Sequence, residues 1–287
     1  MVPTADSSAN DSSTNDSSTQ HDVVIIGGGP GGYAAALYGA AAGLDVAMVE
    51  RDKVGGTCLH RGCIPAKELL ETAAVYRTVA GAKEFGVQVD QPGLDFSVTM
   101  DRKKKIVDQL HKGLGGLLKG RKVTTYDGTG TLGADRVVTV TGGDGETVEL
   151  RAGHVILASG SVPRTIGGFD VDSERVFTSD QVFDLENLPE RVVVIGGGAI
   201  GCEFASMMVD LGSQVTVLEA LPQILPGVDK DAVKVVLRAF KKRNIYVRTG
   251  VEVTGHEPGD DATTVSFGDG DTIEADAIIV SVVGRSL

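Results

Sequence analysis

The feature that most constrains this chain is a glycine pattern that occurs twice, each time at the same distance from an acidic residue. Gly27, Gly29 and Gly32 follow the apolar run at 23–26, and Gly196, Gly198 and Gly201 follow the run at 192–195. In both copies a second apolar run ends in a glutamate, Glu50 or Glu219, twenty-three residues after the first glycine. A short continuous apolar run suits a strand buried in a parallel sheet. The first glycine permits a tight turn, the second lets a pyrophosphate approach the backbone, and the third lets the next helix pack close to the strand. That helix points its N-terminus at the phosphates, and the glutamate suits a pair of ribose hydroxyls. One glycine pattern alone is weak evidence. Strand, turn, helix, second strand and acid, present twice, predict an α/β chain with two Rossmann-like dinucleotide-binding domains. A carboxylate at Glu219 would repel a 2′-phosphate, and no Arg follows it closely, so the second site is expected to take NAD rather than NADP.

Between the two copies lies the segment 55–67, in which Cys58 and Cys63 stand five positions apart. A disulfide holds its Cα atoms about 4.4–6.8 Å apart, so closing this pair requires a tight turn, and Gly62 is expected to relax the backbone there. Pro65 fits the first turn of a helix. Lys67, four residues after Cys63, shares that cysteine's helix face. A cation and a helix N-terminus both favour a thiolate, so the pair suits a disulfide that opens and closes. The same spacing also fits a structural bridge or half of a zinc site. Zinc needs further ligands nearby, yet the only other cysteine is Cys202 and no His pair follows at finger spacing, so no metal is expected. Cys202 reads as a small buried packing residue.

At 287 residues the chain is expected to hold about two domains. A net charge of −12 argues against non-specific binding to nucleic acid. The one basic block, 102–105, reads as a solvated helix face. Residues 1–20, rich in Ser, Asp, Thr and Asn, read as a disordered acidic tail without the basic and apolar regions of a secretory signal. No stretch approaches the ~20 apolar residues of a membrane span, and a cytoplasmic location is expected. The domains are expected at 21–160 and 161–287. Helices are expected over 33–42, 68–86, 98–118 and 229–242. Strands are expected near 46–49, 123–126, 136–141, 147–150, 154–161, 215–218, 245–248 and 277–283, with a hairpin at 268–270.

Gly-Gly-Thr-Cys-x4-Cys-Ile-Pro-x-Lys after the first unit, with Gly-Gly-Gly-x-Ile-Gly-x-Glu in the second, resembles the flavin-dependent pyridine nucleotide-disulfide oxidoreductases over about residues 21–285. The resemblance implies FAD on the first unit, touching Gly27, Gly29, Gly32, Glu50, Thr57, Lys67, Gly130, Ser159 and Gly160. It implies NAD on the second, touching Gly196, Gly198, Gly201, Glu219 and Gly284. Cys58 would be the interchange thiol and Cys63 the thiolate beside the flavin, with Lys67 and Glu203 paired near its ring. Within the family the NAD-reducing branch that oxidises dihydrolipoamide is the most similar. That implies a homodimer in the full-length parent and, as partner, a lipoyl-bearing acyltransferase of a 2-oxo acid dehydrogenase complex. Mercuric and mycothione-type reductases, or a fragment that binds nucleotides without turnover, are the alternatives. Ala66 stands where the family commonly has Ser, and the run before Gly284 is one residue longer than usual. Family members continue into an interface domain whose His-Pro-x4-Glu segment supplies a base across the dimer. None of His21, His60, His111, His154 or His256 precedes a Pro. The sequence therefore reads as a truncated member lacking that domain.

Overall fold

The computed structural model describes residues 19–90 and 93–286. The acidic stretch 1–18 lies outside the described residues. Among the described residues two compact units are present, the first built from residues 19–53 and 118–158, the second from residues 54–117 and from Ser159 onward. This division differs from a single boundary at residue 160, because the segment carrying the cysteines packs with the second unit.

The first unit begins with β1 (Thr19–Ile26), α1 (Pro30–Ala41) and β2 (Val46–Glu50). The helices α2 (Gly56–Arg61), α3 (Cys63–Gly81) and α4 (Phe96–Gly120) intervene. The strands β3 (Thr124–Asp127), β4 (Thr129–Leu132), β5 (Val137–Thr141) and β6 (Thr147–Leu157) then complete a six-stranded sheet in the order β3-β2-β1-β6-β5-β4. The first helix starts at Pro30, earlier than its apolar pattern suggests, because proline suits a position whose N–H is unused anyway. β1 also starts early. Thr19 and Gln20 pair with Leu150 and Arg151 of β6. Two short strands are expected at 147–150 and 154–161, but one continuous strand forms. Its first half pairs antiparallel with β5 and its second half parallel with β1. Val24, Ile26, Ala47, Val49, Val138, Val140 and Leu150 form the core against this sheet.

After β7 (Ser161–Arg164), the second unit runs through β8 (Val176–Thr178), β9 (Arg191–Ile195), α5 (Ala199–Leu211), β10 (Gln214–Glu219), α6 (Lys230–Lys242) and β11 (Ile245–Thr249). It ends with β12 (Val253–Pro258), β13 (Thr263–Phe267), β14 (Asp271–Ala275), β15 (Ala277–Val280) and β16 (Val282–Ser286). A parallel sheet of order β11-β10-β9-β15-β8 forms its centre. Successive residues of a strand face opposite sides. Val192 and Val194 accordingly pack with Leu69, Ala73, Phe204, Met207 and Phe240 from α3, α5 and α6. Val193 and Ile195 pack on the other side with Phe169, Val265 and Phe267. The run 277–283 is not one strand. Ser281 N donates to Ile195 O (2.8 Å) where β15 ends, and the chain then turns to pair β16 with β7. β16 pairs with β7 through a register shift between Val282 and Arg285.

The basic block is not uniformly solvated. Arg102 pairs with Glu68 of α3 and Lys103 donates to the Phe183 carbonyl, while Lys104 bonds Asp108 (2.7 Å) along the helix. Desolvation of Lys103 lowers its pKa. Among the described residues no helix is long and apolar enough to cross a membrane.

Two outcomes follow for stability. A Cβ at Gly201 would lie 2.0 Å from Gly196 O, whereas one at Gly198 meets nothing within 4 Å. Gly201→Ala should cost about 3 kcal/mol in urea unfolding, and Gly198→Ala no more than about 1 kcal/mol. Asp276 accepts from Arg191 N (2.8 Å) and Arg191 Nη2 (2.7 Å), and these bonds, the guanidinium's first, hold its pKa below the usual carboxylate value. A depressed folded pKa contributes stability above the unfolded pKa that is lost as pH falls through the folded one. The stability gap between wild type and Asp276→Asn should therefore be full at pH 7 and close below about pH 4 in acid titrations of unfolding.

Candidate active site

The two glycine turns share their backbone torsions and hydrogen bonds. Gly27 and Gly196 both have φ +105°, a left-handed value, and each N–H donates at 2.8 Å to the second strand, at Val49 O and Leu218 O. Gly29 and Gly198 cap α1 and α5 with extended backbones, φ −71° and −70°. Gly32 and Gly201 then let each helix sit on its own turn, since a Cβ would lie 1.7 Å from Gly27 O or 2.0 Å from Gly196 O. Neither helix has a side chain bonded to its first N–H groups, whereas Asp229 caps α6 through Asp231 N and Ala232 N. Uncapped N–H groups above open space at Gly198 fit a pyrophosphate, which would take the bonds a cap would otherwise make.

The glutamates at the strand ends do more than wait for a ribose. Glu50 accepts from Gly28 N (2.7 Å) and Asp52 N (2.9 Å); Glu219 accepts from Gly197 N (2.6 Å) and Leu221 N (2.8 Å). Each carboxylate thus shapes its own loop and retains lone pairs for hydroxyl donors. Gly28 and Gly197, the middle glycines of each turn, stand outside the expected contacts. Their signal is the triple glycine. A Cβ at Gly197 would come within 2.6 Å of Ile224 Cγ2, and one at Gly28 within 3.1 Å of Glu50 Oε2.

Other expected contacts have mixed placements. Gly130, in β4, has a packing reason, since its Cβ would lie 3.2 Å from Ile26 Cγ2. Ser159 and Gly160 follow Ala158, whose N–H closes the sheet on Ile26 O (2.8 Å), and Gly160 adopts φ +78° beside open space. Gly284 lies in β16, where a Cβ would be 2.9 Å from Val162 O.

Cys58 in α2 and Cys63, the first residue of α3, form a disulfide with Cα atoms 4.6 Å apart. Gly62 is needed for close approach rather than for a left-handed backbone: its φ is −152°, and a Cβ would sit 3.0 Å from Thr57 O. The left-handed residues are Gly55 and Gly56, φ +112° and +57°. Lys67 Nζ lies 2.6 Å from Glu203 Oε1, joining α3 to α5. Cys58, Cys63, Lys67 and Glu203 therefore gather within the second unit, and the first-unit glycines with Glu50 form a separate group. When the bridge opens, the N-terminus of α3 favours negative charge on Cys63 Sγ.

Cys202 belongs to the turn instead. Its thiol donates to Gly197 O (3.4 Å), and burial, then the charge of Glu219, push its pKa up to about 11. A neutral buried thiol is inert. Reduction of the native protein at pH 8 should expose two alkylatable thiols, with the third reacting only after unfolding. Rapid labelling of three thiols in the folded state would contradict this placement.

The pyridine nucleotide-disulphide oxidoreductase family model matches residues 21–287. Dihydrolipoyl dehydrogenase of Bacillus subtilis is 41% identical over 276 residues, covering 92% of this chain and 58% of the relative. The enzyme of the same name from Acholeplasma laidlawii is 38% identical, covering 93% and 79%. Among solved structures, LpdA of Mycobacterium tuberculosis matches with a TM-score of 0.85 at 27% identity, covering 93% of this chain and 59% of that one. The chain thus spans little more than half the length of the Bacillus relative and of the mycobacterial structure. With two uncapped glycine turns, strand-end glutamates and a disulfide at a helix start, the chain belongs to the pyridine nucleotide-disulphide oxidoreductase family.

Proposed function

We propose that this chain carries FAD on its first glycine turn and NAD on its second, and that its Cys58–Cys63 disulfide is exchanged with dihydrolipoamide. The observation that carries the reading is the closed bridge at the first residue of α3, with the Lys67–Glu203 pair one helical turn beyond it. Relatives named dihydrolipoyl dehydrogenase at 41% and 38% identity support the same substrate. Gly27, Gly29, Gly32 and Glu50 would hold the adenosine diphosphate half of FAD, with Gly130, Ser159 and Gly160 along its path. Thr57, Lys67 and Glu203 would act nearer the reacting end. Gly196, Gly198, Gly201 and Glu219 would hold NAD, with Gly284 beyond them.

The exchange proceeds on the chain's own sulfurs. A substrate thiolate attacks Cys58 Sγ, the Cys58–Cys63 bond breaks, and Cys63 leaves as a thiolate favoured by the start of α3. The second substrate thiol, after losing its proton to solvent, attacks the substrate sulfur held on Cys58. Cyclic lipoamide is released and Cys58 is freed as a thiolate. Two electrons now reside on the protein dithiol. FAD, when bound, supplies the two-electron relay by which they reach NAD. Glu203 fixes the Lys67 ammonium, and Glu219 disfavours a phosphorylated ribose. The dithiol would be presented by a lipoyl-bearing acyltransferase of a 2-oxo acid dehydrogenase complex in the cytoplasm, to a homodimer of the full-length protein.

The test is a single-turnover experiment without oxygen, mixing the FAD-loaded chain with dihydrolipoamide and NAD. Without NAD, Cys58 and Cys63 should become alkylatable; with NAD present, NADH should form, up to one per chain, as the disulfide closes again. Cys63→Ser should lower the yield or rate at least about 100-fold, and Gly198→Ala should weaken NAD binding about tenfold. A disulfide left intact by dihydrolipoamide would sink the reading.

A further inference from the structure

We propose that His111 is a positioning residue for the Cys58–Cys63 disulfide, acting together with His60 through the carbonyl oxygen of Val54; this rests on reading that disulfide as the redox centre. His60 lies between the two cysteines, and its Nε2 is 3.0 Å from Val54 O. His111 comes from the middle of α4, and its Nδ1 is 2.9 Å from the same oxygen. A carbonyl oxygen only accepts, so both ring nitrogens donate, and its two lone pairs are both used. The tautomers follow: His60 carries its proton on Nε2 and His111 on Nδ1. The rings also meet edge to face, with centroids 4.9 Å apart.

Val54 is the entry to the redox loop. Gly55 and Gly56 follow with left-handed backbones, and Cys58 comes two residues later. The path from Val54 to Cys58 is therefore pinned at one end by two imidazoles and at the other by the disulfide. α4 is itself fixed, through Arg102 to Glu68 of α3 and through Lys103 to the Phe183 carbonyl. His111 transmits that anchorage to the loop, although it stands in no sequence motif.

The consequence is redox poise. When the bridge is reduced, the covalent restraint between the sulfurs is gone, and the imidazole clamp keeps Cys58 opposite Cys63. A clamped dithiol has a high effective concentration of one sulfur at the other, which favours the closed disulfide. Releasing the clamp frees the reduced loop and shifts the equilibrium towards the dithiol.

The test equilibrates the native chain with mixtures of reduced and oxidised dithiothreitol and counts thiols by alkylation, so that each disulfide opened closes one in the reagent. His111→Leu should shift the equilibrium constant towards the reduced protein by roughly threefold to tenfold, the scale of one hydrogen bond. His111→Asn, whose side-chain N–H sits close to where Nδ1–H does, should return it to within about twofold of wild type. His60→Leu reads the same clamp from its other side, and the double variant should fall short of the product of the two single effects. A shift under twofold for His111→Leu, or an Asn variant no better than Leu, would overturn the proposal, as would a lowered melting temperature with unchanged exchange. A wild-type disulfide that refuses to exchange would instead overturn the redox reading on which the proposal rests.

Discussion

Each half of this protein depends on a helix that begins in contact with the carbonyl of its own glycine turn. The space between Gly32 and Gly27 O, and between Gly201 and Gly196 O, leaves no room for a methyl group. That approach aims the N-termini of α1 and α5 across the ends of parallel strands, where their N–H groups have no side-chain partner. The loop between is held by a carboxylate from the neighbouring strand, Glu50 to Gly28 and Glu219 to Gly197. Sheet order then supplies the crevice: β1 has β2 on one side and β6 on the other, and β9 has β10 and β15. Ligands bind in such sheets where connections diverge to opposite sides.

The disulfide segment depends on a different interaction, the packing of α3 on α5. Leu69 and Ala73 share a core cluster with Phe204, Met207 and Met208. One ion pair and one carboxylate shared by two arginines flank that contact with unequal weight. Lys67 and Glu203 are 60% and 41% exposed, so their pairing contributes at most about 1 kcal/mol and places charge more than it holds the helices together. Asp210 is only 8% exposed and is shared by Arg77 of α3 and Arg243 after α6. Losing that carboxylate would leave two cations facing each other, so the shared pair fixes how the disulfide helix lies on its neighbour.

Much of the candidate site was legible because it is local in sequence. The turns, their glutamates and the Cys58–Cys63 spacing lie within short segments whose chemistry follows from residue type and distance. What escaped the sequence is long-range or a matter of which neighbour wins. The 147–157 stretch reads as two strands because its halves have different partners, β5 and β1, and only pairing joins them. The basic block reads as solvated because charge runs usually are, yet Arg102 and Lys103 point at groups more than thirty residues away in the chain. Gly62 reads as a relaxed backbone position and does adopt a torsion outside the helical and extended regions (φ −152°, ψ −110°), but the close approach to Thr57 O that a Cβ would obstruct is visible only in the fold.

The sequence by itself determined the two nucleotide-type turns, the acid that closes each, and the disulfide at the head of a helix. Those features depend on the steric size of glycine and on the span of a few residues, which any fold containing them must respect. Tertiary structure alone decided that the cysteine segment packs with the second unit, that Arg77 and Arg243 share Asp210, and that His60 and His111 share the Val54 carbonyl. Each brings together groups dozens to more than a hundred residues apart, and such meetings are set by helix packing and sheet order rather than by spacing along the chain.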